Sequence, residues 1–137
     1  MKVREIMTSN VECLGPESSL KEIAQEMKSL DVGFIPICEN DRLVGTVTDR
    51  DIVIRHVADG RDVNTTQVRE IMSREIIYAF EEDDVKTVAE RMREKDVRRI
   101  LILDENKRLV GIVSIGDISK VEEKVGGKTL HDIAEAA

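Results

Sequence analysis

The sequence predicts a mixed α/β fold made by duplication, with a β-α-β-β-α unit used twice. Three observations predict it. The phrase Leu43-Val44-Gly45-Thr46-Val47-Thr48-Asp49-Arg50-Asp51-Ile52 returns as Leu109-Val110-Gly111-Ile112-Val113-Ser114-Ile115-Gly116-Asp117-Ile118. Val3-Arg4-Glu5-Ile6-Met7 returns as Val68-Arg69-Glu70-Ile71-Met72, which sets an internal period of about 65 residues. Between these markers each copy runs through an apolar pattern of helical spacing and then two apolar runs suited to buried strands. The copies align with one inserted residue near Asn106, and Lys21/Lys86, Ala24/Ala89, Met27/Met92 and Asp31/Asp96 are identical pairs. The expected division along the chain is residues 1–65, residues 66–122 and a tail of residues 123–137.

In the first copy, residues 11–14 read as a short strand stopped by Gly15-Pro16. Ser19-x-x-Glu22 then supplies a capping box for a helix whose buried stripe is expected to be Leu20, Ile23, Ala24, Met27 and Leu30. Met27 and Met92 read as core filling. Residues 34–38 and 43–47 form a hairpin around Glu39-Asn40-Asp41-Arg42. Pro36 cannot donate to a ladder, so its strand lies at an edge or leaves its backbone beside a ligand. A second helix is expected over residues 49–58, followed by a polar linker, residues 59–66, to the second copy.

The second copy repeats the order. A strand covers residues 76–80, and a helix carries Val85, Val88, Ala89 and Met92. Strands 99–103 and 109–114 and a helix from Ile115 follow. The acidic run Glu81-Glu82-Asp83-Asp84 complements the N-terminal dipole of its helix, a cation site being the alternative. Past Gly126-Gly127, Thr129-x-x-Asp132 is expected to start a short helix in the tail.

Composition narrows the function. With 137 residues, 41% of them hydrophobic, the chain suits one compact domain or two small halves sharing a core, with no need of disulfides or metal. Phe34, Tyr78 and Phe80 are the only aromatics, so the stacking platforms of single-strand nucleic-acid binders are missing. The net charge of -7 would repel a phosphate backbone, and a bound anion must be held by local donors. No stretch approaches the roughly 20 apolar residues of a membrane span, and the charged start does not suit a signal peptide. A cytoplasmic protein with no membrane or nucleic-acid partner is therefore expected.

Catalysis is not expected either. His56 and His131 are isolated, and no Cys-x-x-Cys or His-x-x-x-His pattern offers a metal cage. Neither a Gly-x-Ser-x-Gly elbow nor a Gly-x-x-x-x-Gly-Lys phosphate loop occurs. The chemistry that remains lies in the repeated phrase. Each copy ends an apolar strand at a hydroxyl and places an aspartate three residues on, at the start of a helix. Such a junction offers unpaired backbone N–H groups, so Thr48 and Ser114 stand where a phosphate could bind, and Asp51 and Asp117 could accept from sugar hydroxyls. The same spacing also describes a capping box that only closes the helix. Its recurrence at equivalent places in both copies favours the binding role.

This ordered set, with its Ile-Met lead, amphipathic helix, Asp-Val, apolar hairpin and Gly-x-x-Thr/Ser-x-x-Asp, resembles a tandem pair of cystathionine beta-synthase (CBS) domains over about residues 1–122. The segment from Thr48 to Thr66 is similar to small stand-alone members of the hypoxic-response type. The resemblance implies a disc-like regulatory module of two units related by a pseudo-two-fold axis. It also implies an adenosine-containing ligand, of the AMP, ADP, ATP, NAD or S-adenosylmethionine class, in the clefts between the units. No cofactor is required.

Carried over by motif, the first site would use Asp51 on the ribose, Thr48 and Arg50 near phosphate, and Gly33, Phe34, Ile35 and Pro36 beside the base. The second would use Asp117 and Ser114, with Arg98, Arg99 and Ile100 on the base side. Leu101 stands there in place of the family's proline, and Gly116 in place of Arg50. Arg98 and Arg99 would contact phosphates or pair on the surface. A homodimer through exposed helix positions such as Ile52, Val53, Ile118 and Val121 is also implied, with a separate regulated protein as the output. Cys13 and Cys38 fall near the ends of strands that this fold makes neighbours. Reduced core cysteines are the simpler reading in the cytoplasm, and a redox pair is the alternative.

Overall fold

The computed structural model describes residues 1–122, and the helix expected around Thr129 lies outside the described residues. The repeat boundary near residue 65 marks where the pattern restarts, but the compact units are cut elsewhere. Glu12–Ile76 form one, here the internal unit; Met1–Val11 join the chain from Ile77 onward in the other, the composite unit.

In the internal unit, α1 (Leu20–Leu30) starts at Ser19, whose Oγ accepts the Glu22 N–H at 3.1 Å. The N–H groups of Leu20 and Lys21 donate to the carbonyls of Thr66 and Val63, at 3.0 and 3.1 Å. The expected linker therefore satisfies donors that a helix start leaves open. Leu20, Ile23 and Met27 are buried, but Ala24 is exposed and Leu30 is 42% exposed, so the stripe is narrower than its spacing suggests. Ala24 lies about 100° round the helix from Ile23. Leu30 is the last helical residue before Asp31 turns the chain at φ 54°, and the Val32 N–H closes on the Met27 carbonyl at 3.0 Å.

Strands β1 (Phe34–Glu39) and β2 (Arg42–Thr48) pair antiparallel across Asn40 and Asp41, both at positive φ, as a two-residue turn requires. Of the expected strand over residues 11–14, only Leu14 pairs, as an isolated parallel bridge to Ile37. It donates to the Pro36 carbonyl and accepts from the Cys38 N–H. Because the Pro36 carbonyl points to Leu14, its donorless nitrogen faces the same outer side, and pairing with β2 is undisturbed. The closing helix begins as α2 (Asp49–Ile52) and widens into a π-turn, Val53–Val57. The core joins Leu20, Ile23, Ile35, Ile37 and Val47 to Val68, Ile71 and Met72 of the second Ile-Met lead.

In the composite unit, β3 (Tyr78–Phe80) runs parallel to β4 (Arg99–Leu103), which pairs antiparallel with β5 (Leu109–Ser114). Helices α3 (Val85–Lys95) and α4 (Ile115–Glu122) supply Val88, Ala89, Met92 and Ile118 to a core that includes Val3 from the first lead. Ile118 is fully buried there and so is not available for docking a second chain, contrary to the sequence expectation. The inserted residue near Asn106 is absorbed in the β4–β5 turn. There Lys107 adopts φ 63° and Asp104 Oδ1 accepts the N–H groups of Asn106 and Arg108.

The two leads thus serve the units opposite to their repeats. A Cβ on Gly45 would stand 2.6 Å from Met72 Sδ, and one on Gly111 would strike Met7 Sδ, so the glycine of each phrase admits the methionine of the other copy's lead. The acidic run is largely occupied by protein partners. Asp84 caps α3 through the Lys86 N–H, Asp83 accepts from the Phe80 N–H, and Glu82 pairs with Lys2 and Arg4.

Candidate functional site

Each repeated phrase folds into the same strand end and helix start. At the end of β2, Thr48 Oγ1 accepts the Asp51 N–H at 3.1 Å, and Asp51 Oδ2 accepts the Thr48 N–H at 2.9 Å. At the end of β5, Ser114 Oγ accepts the Asp117 N–H at 3.2 Å, and Asp117 Oδ2 accepts the Ser114 N–H at 2.9 Å. Both phrases are therefore reciprocal capping boxes. The boxes use only one carboxylate oxygen each. Asp51 Oδ1 faces Arg55 Nε at 4.0 Å, with the Asp51 side chain 20% exposed, and Asp117 is likewise half-buried. A capping aspartate can thus also offer an oxygen to an outside donor.

The base-side residues come to the same place within each unit. Phe34 lies opposite Thr48 in the hairpin, and the Asp49 N–H donates to the Gly33 carbonyl at 3.0 Å. Arg99 lies opposite Ser114, and the Ile115 N–H donates to the Arg98 carbonyl at 2.9 Å. Gly33 and Phe34 are half-buried, and Arg50, Arg98 and Arg99 are exposed. Ile35 and Ile100 are each 1% exposed and belong to the two cores, so a ligand would meet their backbone and not their side chains. Pro36 is also buried.

Two residues escaped the sequence reading. Asp49 lies against Gly33: a Cβ there would lie 2.7 Å from Asp49 Oδ2 and make that exposed side chain turn aside, whereas the second copy has Arg98 and Ile115 at these places. The paired exchange was readable once the copies were aligned. Arg55 donates to the Ile71 carbonyl at 3.1 Å and lies one helical turn past Asp51, a spacing that could have flagged it. His56 is fully buried in the π-turn, with Nε2 3.2 Å from Thr66 Oγ1, and is a core residue of the internal unit. Cys13 and Cys38 are joined as a disulfide with Cα atoms 5.9 Å apart, and neither is fully buried. The expectation of two reduced core cysteines gives way to a crosslink, because the Leu14–Ile37 bridge sets their backbones side by side.

The duplicated unit and its fold are shared with known proteins. A family profile described as "CBS domain" matches residues 3–56 and again 68–124. Hypoxic response protein 1 of Mycobacterium tuberculosis is 41% identical over 118 residues, which is 85% of this chain and 82% of that protein. A crystal structure of Hypoxic Response Protein I with two coordinated zinc ions superposes with a TM-score of 0.79 at 39% identity, covering 88% of this chain and 98% of that one. Among the described residues here, no group of three or more His, Cys, Asp or Glu is placed to hold a metal. The CBS domain pair of protein MJ0100, solved with 5-methylthioadenosine and S-adenosyl-L-methionine, is 28% identical with a TM-score of 0.76, covering 91% of this chain and 98% of that one. No helix among the described residues is long and apolar enough to cross a membrane.

Proposed function

Because the chain belongs to the CBS domain family and carries the unit in tandem, we propose that it is a regulatory, non-enzymatic sensor that binds an adenosine-containing ligand at its hydroxyl–aspartate turns. The observation that carries this reading is the half-buried carboxylate of Asp51. It closes its helix with one oxygen on the Thr48 N–H, while the other lies 4.0 Å from Arg55 Nε on a side chain that is 20% exposed, at the strand end where Thr48 stands opposite Phe34. A ribose presents adjacent hydroxyl donors, and a charge-assisted hydrogen bond to a carboxylate is the strong kind. Both ligands named for the MJ0100 pair contain adenosine, which supports the class. The ligand signal would pass to a separate protein in the cytoplasm. Self-association would use the outward side chains of Val53, Ile54 and Val57, each more than half exposed, in a two-fold contact with a second copy.

The test is thermal unfolding with AMP, ADP, ATP, NAD and S-adenosylmethionine, each at high concentration. A binder present at about 100 times its dissociation constant adds roughly 2.7 kcal/mol and raises the melting temperature. A melting temperature unmoved by all five overturns the adenosine reading.

A further inference from the structure

The internal unit carries a covalent link where the composite unit has a strand. In the alignment of the copies, Cys13 corresponds to Tyr78 and Cys38 to Leu103. Tyr78, Ala79 and Phe80 pair in parallel with Leu101, Ile102 and Leu103. At the matching place in the internal unit only Leu14 pairs, through hydrogen bonds of 3.2 Å to the Pro36 carbonyl and 2.9 Å from the Cys38 N–H. Gly15-Pro16 ends the segment at once, and Pro36 offers the outer edge of β1 no donor. A bridge of two hydrogen bonds is too short to hold an extended segment against its chain entropy. The disulfide supplies the missing restraint, and both its cysteines stand at partly exposed positions that a dissolved thiol can reach.

We infer that Cys13 and Cys38 form a reversible thiol–disulfide clasp that sets the ligand affinity of the internal unit. This rests on the proposed adenosine site for its consequence, but not for its structure. When oxidised, residues 12–14 lie along the outer edge of β1, the strand that carries Phe34, Ile35 and Pro36. When reduced, the segment leaves, β1 loses its neighbour at Pro36 and Cys38, and the base side of the site loosens. The exchange needs an external dithiol. Its thiolate attacks one cysteine sulfur, which releases the other cysteine as a thiolate and leaves a mixed disulfide, and its second thiol then displaces the attacked cysteine. Two electrons and two protons pass to Cys13 and Cys38, and the external dithiol ends as its own disulfide.

The experiment uses the full chain, oxidised or reduced with dithiothreitol, alongside Cys13→Ser, with AMP as the probe. Thiol titration should rise from none to two on reduction of the native chain. Hydrogen exchange at the Leu14 and Cys38 amides should speed up by about 10-fold or more in the reduced form and in Cys13→Ser. Exchange at Phe80 and Leu103 of the composite unit should stay unchanged. AMP should bind the reduced form weaker by at least about 5-fold and recover on reoxidation. Unchanged exchange at Leu14 and Cys38 overturns the clasp whatever AMP does. Faster exchange with equal AMP affinity in both forms overturns its control of the site. AMP binding to neither form overturns the gating and counts against the adenosine reading, while the exchange result still decides the clasp.

Discussion

Both units contain the same hairpin, the same αL aspartate at the end of the first helix and the same capping box, yet they hold their first segment differently. In the composite unit Tyr78–Phe80 is a true strand, and the hydrogen-bond ladder is its own restraint. In the internal unit one bridge and a disulfide stand in for that ladder. The αL turns at Asp31 and Asp96 are superimposable in kind, each at φ 54° and ψ 50°. The difference teaches that the duplicated pattern fixes the core and the site turn, while the outermost strand is free to be held by whatever means its residues allow.

A first way to break the comparison targets the exchanged leads. Val3 and Val68 occupy the same place in the repeat, but Val3 belongs to the core that holds Val88 and Ile100, and Val68 to the core that holds Leu20 and Ile35. Truncating either to Ala removes fully buried methyl groups and should cost about 2–3 kcal/mol. Hydrogen exchange should then show Val3→Ala loosening α3 and β4, and Val68→Ala loosening α1 and β1. The opposite assignment, each valine loosening its own repeat, would dissolve the two units described here.

The second sharpens the two site turns. Asp51 belongs to a Thr-Asp-Arg-Asp phrase, whereas Asp117 follows Ser-Ile-Gly, so an adenosine nucleotide is expected to bind the Asp51 turn more tightly. Asp51→Ala should lose about 1.5–3 kcal/mol of binding by calorimetry, and Asp117→Ala should lose less. Each should also lose about 1 kcal/mol of stability from its cap. A folded Asp51→Ala that binds with native affinity would leave both aspartates as helix caps alone.

Much of this was readable in the chain. The repeat located both hairpins, and Ser19-x-x-Glu22 and Thr48-x-x-Asp51 named their caps, because these are local patterns with local hydrogen bonds. What was not readable is long-range. Nothing near Met7 says that it packs on Gly111, since that pairing spans the two repeats. Ile118 and Val53 look alike on a helical pattern, but only the fold shows that one is buried and the other open. The weakness of the strand over residues 11–14 was also hidden, because its residue types are ordinary for a strand and only Gly15-Pro16 limits it. At the candidate site, the turn and its opposing strand were legible as one place, since Thr48 lies opposite Phe34 and Ser114 opposite Arg99. The roles of Asp49 and Arg55 emerge only when the Gly33 backbone and the Ile71 carbonyl are in place.

The smallest expected effect compares one carboxylate in each unit. Glu70 of the internal unit is held below the ordinary carboxylate range first by the Gln67 backbone N–H, and then by Arg61 and Arg69. Glu82 of the composite unit is also held low, first by its hydrogen bond from Lys2 and then by the charges of Arg4 and Lys2. A folded-state value below the unfolded one means that stability is present above the ordinary carboxylate range and is lost as pH falls through the folded value. Melting temperatures of the native chain, Glu70→Gln and Glu82→Gln should therefore converge as the solution is acidified and separate near neutral pH. Salt then divides the two. Glu82 leans on exposed cationic side chains, which about 1 M salt screens to within a few ångströms, so its neutral-pH difference should shrink most. The foremost restraint on Glu70 is a backbone N–H carried by its own 3-10 turn, which salt does not remove, so its difference should persist. Equal loss of both differences in salt would mean that Arg61, and not the turn, is the chief hold on Glu70.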